Sequence, residues 1–509
     1  MKISYIHTYK FYLIMFNTLF PLFIIPSLGF LIVTFIPNNK SSILKNIALI
    51  FSLLTFIEAL RLWYYFDYSS SEFQFSSSIS WFQMINLNFN VFFGLDGISL
   101  IFVLLTTLLI PLCILTSWNS VKSYKEDYSS RIKTFLLSFL ALDILLIGVF
   151  TVLDLFGFYI LFEAVLIPMF LIIGIYGSRV QKIEAAYYFF FYTLIGSILM
   201  LLAILYIYSI SGTTDYLTLL EFQIDPYVQK FLFLAFFASL AVKIPKFPFH
   251  IWLPQAHVEA PVAGSVILAG ILIKLGGYGF IRFTLPLFPD ASYFFSPLVF
   301  TLAVLAIIYA SLTTLRQTDL KRIIAYSSVS HMGVVSLAIF TFSAIGIEGS
   351  LFLQLAHGIV SSALFIIVTV LYDRYHTRLI KYYRGMVIIM PIFITLFLFF
   401  TLANIAVPLS CNFIGEFLCL LATFNFNSFI AILASLGIVL SAAYSLFLFN
   451  RVSFGQFSPH LTSSFQTDLS RREFFVLLPL VFLTLLLGLF PNLALDILHQ
   501  SVITLLTYL

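Results

Sequence analysis

Apolar residues run along this chain in long blocks separated by short polar stretches, from near residue 15 to near residue 493. A helix needs about 20 apolar residues to cross a bilayer core. Runs of that kind predict 14 spans. They lie near 15–36, 43–65, 98–118, 134–152, 155–176, 184–210, 229–249, 261–283, 296–315, 323–343, 350–371, 386–407, 411–449 (a broken piece, then a full span) and 474–493. Residues 1–80 read as two helices and a loop. The division of 386–449 is the least sharply marked, because apolar residues continue through Pro408 towards Glu416.

The basic residues check this count, because lysine and arginine collect in the loops on one side of a membrane. The loops after odd-numbered spans hold 20 of the 26, among them Lys122–Lys133 and Arg374–Arg384. The other side holds five, Lys2, Lys10, Arg61, Lys230 and Arg282, and Lys274 alone falls inside a span. A wrong number of spans would scramble that bias. The fold class expected is therefore an all-α membrane protein of about 14 transmembrane helices, with both termini on the lysine-poor side.

Composition agrees. Hydrophobic residues make up 61% of the 509 and charged residues 9%, where a soluble domain carries about 25% charged residues. The net charge of +4 gives no sign of a nucleic-acid partner. Cys113, Cys411 and Cys419 have no paired spacing, which argues against a disulfide framework, a zinc site or an iron–sulfur cluster. Without a GxGxxG or Walker A pattern, the chain is not expected to bind a dinucleotide or ATP itself. No cleavable signal peptide is evident at the first run. The 61 phenylalanines fit membrane helices and an A/T-rich coding genome such as an organelle's.

Charges within hydrocarbon are costly, so each one inside a span is a functional candidate. Asp143 lies in the fourth span, while Asp154 and Glu163 flank the start of the fifth. Lys243 ends the seventh, Lys274 sits mid-span in VILAGILIKLGGYG, and His331, His357 and Glu416 follow. A single buried histidine is as readily a satisfied hydrogen-bonding group as a proton carrier. Asp154 reads equally as an interfacial residue, and Lys246 as a lysine snorkelling to the headgroups. Glu163, in FYILFEAVLIPMF, has apolar neighbours on both sides.

The stretch AVKIPKFPFHIWLPQAHVEAP concentrates prolines at 245, 248, 254 and 261, each removing a backbone donor. Broken helix at membrane depth persists only where protein or a wet cavity satisfies the freed groups. A second break is expected around Pro408 and CNFIGEF, placing Glu416 near the position Lys243 holds in the first. Glu163 precedes His331 by a similar interval. Such matching interruptions describe a duplicated five-helix unit of the transporter kind. A row of carboxylate, lysine and histidine can store and pass protons, which favours proton transport over a passive scaffold.

The segments LFEAVLIPMF, KIPKFPFHIWLPQAHVEAPVAGSVILAGILIKLGGYG, TDLKRIIAYSSVSHMG, LAHGIVSSALF and NFIGEF resemble the antiporter-like proton-pumping subunits of respiratory NADH:ubiquinone oxidoreductase (complex I), and the chain 4 branch most. The likeness runs from about residue 90 to 495. It implies two inverted five-helix repeats at 134–283 and 296–449, after N-terminal helices in 1–133 and before a C-terminal helix and tail in 450–509. It implies a coupled pair in Glu163 and Lys243, a connecting lysine in Lys274, relay residues in His331 and His357, and a terminal proton carrier in Glu416. Asp154 resembles a secondary acidic residue of the family. Glu416 stands where sibling chains have lysine, and Gln255 departs from a position often charged in relatives, outside the expected path. The long lateral helix of one sibling is not expected. NADH, FMN, iron–sulfur clusters and ubiquinone are expected in partner chains, with sibling membrane-arm subunits and lipids as partners and the mitochondrial inner membrane as location. The rival reading is a subunit of a stand-alone cation/proton antiporter, which shares the helices and the charged row.

Overall fold

The computed structural model describes residues 18–84, 87–118, 128–177, 179–456 and 467–509. Helix α1 (Phe20–Phe35) and α2 (Ser41–Tyr64) lead into an antiparallel hairpin, β1 (Gln74–Met84) and β2 (Leu87–Leu95), and then α3 (Gly97–Thr116). Next come α4 (Tyr128–Thr151), α5 (Leu155–Ala164), α6 (Leu166–Tyr176), α7 (Lys182–Ser211), the short α8 (Tyr216–Glu221), α9 (Pro226–Lys243), α10 (Trp252–Glu259) and α11 (Val262–Leu287). After the short α12 (Pro289–Phe294) follow α13 (Ser296–Arg316), α14 (Leu320–Ile339), α15 (Ala344–Tyr375), α16 (Pro391–Asn404), α17 (Cys411–Phe426) and α18 (Ser428–Ser453). Two more, α19 (Arg471–Leu489) and α20 (Asn492–Leu506), complete the chain.

Every predicted span falls on one of these helices, and 11 helices among the described residues are long and apolar enough to cross a membrane. The outer ring presents Ile57, Phe191, Ile195, Phe231, Phe429, Val439 and Phe482 outward, as a lipid-facing surface requires. Two expectations are corrected. The N-terminal loop continues into the hairpin, whose alternating pairing runs from Gln74 opposite Leu95 to Met84 opposite Leu87. The C-terminal segment forms a further helix, α20, whose Ser501 hydroxyl accepts the Gly97 N–H at 2.9 Å.

Loops assigned to one face by the charge count do touch one another. Lys133 donates to the carbonyls of Thr34 and Ile36 at 2.7 and 2.9 Å, and Lys45 to that of Trp118 at 2.5 Å. Lys321 reaches the Ala260 carbonyl at 2.9 Å, and Arg374 pairs with Glu473 at 2.8 Å. On the other face, Leu153 donates its N–H to Phe92 and Tyr216 to Leu153, at 2.8 and 2.9 Å. His499 meets Glu348 there at 2.8 Å. Contacts of that parity require the helix order predicted from the sequence. Lys2, Lys10, Lys122 and Lys125 of the tally lie outside the described residues.

The order span, span, span, broken helix, span occurs twice, as α4 to α11 and as α13 to α18. Five crossings are an odd number, so the second unit begins on the face opposite the first and runs inverted. In the first unit the break falls between α9 and α10, because Pro245 forces Ile244 out of helical geometry, to φ −79° and ψ 104°. The Trp252 indole then donates to the freed Val242 carbonyl at 2.9 Å. In the second unit it falls between α16 and α17, across Pro408, with Ala406 and Leu409 at positive φ.

Candidate functional site

Glu163 sits two residues before the point where α5 gives way to α6. The ring of Pro168 displaces the Ala164 carbonyl and removes its helical donor, so the span is interrupted there. Facing it, Lys243 is the last residue of α9, where a helix end favours a cation. Its ammonium lies 4.3 Å from the centre of the Phe162 ring and is buried. Glu163 and Lys243 act on each other electrostatically, and Ser197 lies beside the carboxylate. Among the described residues they form no ion pair within 4.0 Å.

Lys274 lies mid-way along α11, fully buried. The helix widens into π-helical turns at Leu268–Leu272 and Phe280–Thr284. A π turn slips the hydrogen-bond ladder by one residue and exposes a carbonyl. Here the Lys274 ammonium donates to the Ala269 carbonyl and meets His357 Nδ1 at 2.9 Å. The His357 ring centre lies 5.5 Å from that of His331. His331 Nδ1 lies 2.7 Å from Glu416 Oε1. Lys274, His357, His331 and Glu416 are thus one buried series reaching from α11 through α15 and α14 to α17.

Close helix contact makes that series possible. A Cβ at Gly415 would stand 2.7 Å from the Leu353 Cα, so only glycine lets α17 press against α15 and carry Glu416 to His331. Gly277, just after Lys274, gives the same close approach to the Gln354 amide. Glu416 also lines a crevice of about 450 Å³ on the outer surface, walled by Ala406, Phe413, Phe417 and Leu420.

Some residues take other places than their sequence spacing implied. Glu416 lies in the second turn of α17, not at its start, so it caps no helix. The place equivalent to Lys243, last before the break, is held by Asn404. Asp154 is a helix cap: it accepts the Gly157 N–H at 2.6 Å and the Thr214 hydroxyl at 2.5 Å. Lys246 does not snorkel. It is buried among the rings of Phe237, Phe280 and Phe340, at 5.0, 4.9 and 5.4 Å.

A family model described as NADH:quinone oxidoreductase/Mrp antiporter, transmembrane, matches residues 152–441, which hold both broken helices and the whole series. The chain belongs to this family. Within it, the chain is 56% identical over 492 residues to the NADH-ubiquinone oxidoreductase chain 4 of Chondrus crispus, covering 97% of this chain and 98% of that one. It is likewise 56% identical to the chain 4 of Metridium senile over 483 residues, 94% and 96% of the two. A chain in the structure of respiratory complex I from Thermus thermophilus with bound NADH superposes with a TM-score of 0.84 and 30% identity, covering 95% of this chain and 99% of that one.

Against that NADH:quinone oxidoreductase/Mrp antiporter background, two polar residues stand out that a count of charges omits. Gln354, one turn before His357, is fully buried with neither amide atom bonded. His257 on α10 is fully buried, and neither ring nitrogen has a partner. Their sequence signal is a polar residue at membrane depth without charge.

Proposed function

We propose that the chain is a proton-translocating membrane subunit of NADH:ubiquinone oxidoreductase, moving protons along Glu163, Lys243, Lys274, His357, His331 and Glu416. The observation that carries this is the buried series in which Lys274 Nζ lies 2.9 Å from His357 Nδ1, the His357 and His331 ring centres are 5.5 Å apart, and His331 Nδ1 lies 2.7 Å from Glu416 Oε1. Three of these four side chains are cationic when protonated, and adjacent like charges resist being carried together. A proton arriving at His357 therefore favours departure of one from Lys274 or His331. Glu416 ends the row as a carboxylate that accepts the proton and neutralises. Glu163 and Lys243, in electrostatic contact without a tight ion pair, form a second coupled group in the first repeat. The repeats at 134–283 and 296–449 act as half-channels in this reading.

NADH, FMN, iron–sulfur clusters and ubiquinone belong to partner chains, and sibling antiporter-like subunits lie alongside in the membrane arm. The eukaryotic relatives support an organellar membrane, and we infer the mitochondrial inner membrane. Near-complete coverage by oxidoreductase chains favours this over a stand-alone cation/proton antiporter. The deciding experiment purifies the chain in its native assembly and measures NADH-driven proton pumping in vesicles. Co-purification with flavin and iron–sulfur chains, and loss of pumping in Lys274→Ala, are expected. Sodium-dependent transport without NADH would overturn the reading.

A further inference from the structure

Helix α7 carries an apolar groove of about 980 Å³ on its outer face, with α9 and the first break as the far wall. The groove runs from Ile183 past Tyr187, Tyr188 and Tyr192 to Leu199, with Val242 and Phe249 across from them. Ile183 to Leu199 is about 24 Å of helix. One leaflet contributes only about 15 Å to a core of about 30 Å. Tyr187 and Tyr188 stand near the lysine/arginine-rich end, where a ring with one polar tip suits the headgroup level.

At that end the groove opens into a second, polar space. Gln181 and Glu184 line both the groove and a crevice of about 140 Å³, whose other walls include Gln255, Glu259 and Arg322. Glu259 is 4% exposed, yet its Oε2 has no hydrogen-bond partner and its Oε1 comes no nearer than 3.9 Å to Arg378. The Gln255 Oε1 is likewise buried and unpartnered. Among the described residues, neither Glu184 nor Arg322 forms an ion pair within 4.0 Å. The crevice wall thus holds two acceptors in want of a donor, an unpaired carboxylate and an unpaired guanidinium. Acceptors left so are costly.

An apolar groove that ends in a polar crevice matches a phospholipid, tail and headgroup. The unmet groups narrow the headgroup. A phosphate finds Arg322 and the N-terminus of the long α7, which favours an anion. The far end of the headgroup has to bring N–H donors and positive charge to Glu259, Gln255 and Glu184. A primary ammonium does both. Choline has no N–H, and glycerol hydroxyls leave the carboxylates without a counter-charge. An apolar helix from a neighbouring chain would fill the groove but seal the crevice with its acceptors unmet.

We propose that this groove and crevice bind phosphatidylethanolamine from the leaflet on the lysine/arginine-rich side, with an acyl chain along α7 and the ammonium at Glu259 and Gln255. The site contains none of the six side chains of the proposed proton path. Its far wall at Val242 adjoins Lys243, so the bound tail buttresses the first break.

The test uses the assembled complex in phosphatidylcholine vesicles. Three photoreactive lipids are compared, each with a diazirine on one acyl chain and an ethanolamine, choline or glycerol headgroup. Labelled positions are read by peptide mass spectrometry. The ethanolamine probe is expected to label 183–199 about tenfold more than either other probe, the worth of one charge-assisted hydrogen bond. Glu259→Gln and Glu184→Gln should each lower that preference several-fold. Glu184 is exposed at the mouth, so its variant serves even if the Glu259 variant does not assemble. Ile195→Trp, at an exposed position in the groove, should reduce labelling by every probe and leave NADH oxidation unchanged. Equal labelling by the choline or glycerol probe overturns the proposal, as does an undiminished preference in every glutamate variant that assembles. Absence of label at 183–199 from all three probes gives the groove to a neighbouring protein chain and overturns it too.

Discussion

His331 Nδ1 and Glu416 Oε1 lie 2.7 Å apart, with both side chains buried between α14 and α17. The imidazole Nε2 on the far side of the ring is unpartnered and turned away from the carboxylate. Glu416 faces His331 on one side and the surface crevice on the other. In the proposed path, Glu416 is thus the one acid between His331 and the surface crevice.

That geometry separates charge from proton affinity. Glu416→Asp keeps a carboxylate, and substantial pumping is expected. Glu416→Gln still hydrogen-bonds His331 yet cannot release a proton, so it should fail as Glu416→Ala does. Proton uptake by reconstituted vesicles measures all three. Wild-type pumping in an assembled Gln variant removes Glu416 from the path.

Lys243→Ala should cut pumping and the coupled NADH oxidation strongly while leaving assembly largely intact. No ion pair within 4.0 Å joins Lys243 to Glu163, so removing one leaves no broken contact in the other. The two should nevertheless act as a unit in transport. Glu163→Gln with Lys243→Ala is expected to pump no worse than either alone. Additive losses would show two independent groups.

Arg282 on α11 and Asp96 at the start of α3 form a buried ion pair at 2.5 Å, and Asp96 also caps α3 through Ser99. Removing one member of such a pair costs about 3–5 kcal/mol, because the other charge stays buried alone. Arg282→Met should therefore lower the yield and thermal stability of the assembled complex. Pumping per NADH oxidised, in what does assemble, should stay near wild type. Thermal denaturation of the purified complex checks the first expectation, and a matched stability would contradict it.

Sidedness is checked by cysteine labelling with a membrane-impermeant maleimide. Arg131→Cys and Arg384→Cys should react from the same face, and Tyr227→Cys from the opposite one. All three positions are exposed. Labelling of 131 and 384 from different faces would break the span order.

The residues of the series are legible in the sequence because charge in hydrocarbon is expensive enough to mark each one. Lys274, His331, His357 and Glu416 need no geometry to be noticed. Gln354 escapes because a neutral amide costs far less at depth and leaves a correspondingly faint pattern, and His257 because it falls in the proline-rich stretch between the spans predicted at 229–249 and 261–283. The hairpin escapes for a different reason. Strands of 11 and 9 residues with alternating character leave no mark on a pattern of 20-residue apolar runs. Asn404, rather than Glu416, takes the place matched to Lys243, because apolar sequence runs on through Pro408 and hides where the helix stops. Lys246 reads as a snorkelling residue only because the rings that enclose it, Phe280 and Phe340, come from distant segments of the chain.

Helix α11 has one property that sets it apart from the other spans: it is 100% buried, whereas α18 is 33% buried. No lipid touches it. Bilayer thickness acts on a helix through mismatch at its lipid-facing surface, and α11 has none. The ring of outer helices takes up whatever tilt or thinning the membrane imposes, and Lys274 stays mechanically insulated inside it. Thinner or thicker lipid should thus shift the outer helices and how neighbouring chains meet them, while the 2.9 Å step from Lys274 to His357 keeps its length.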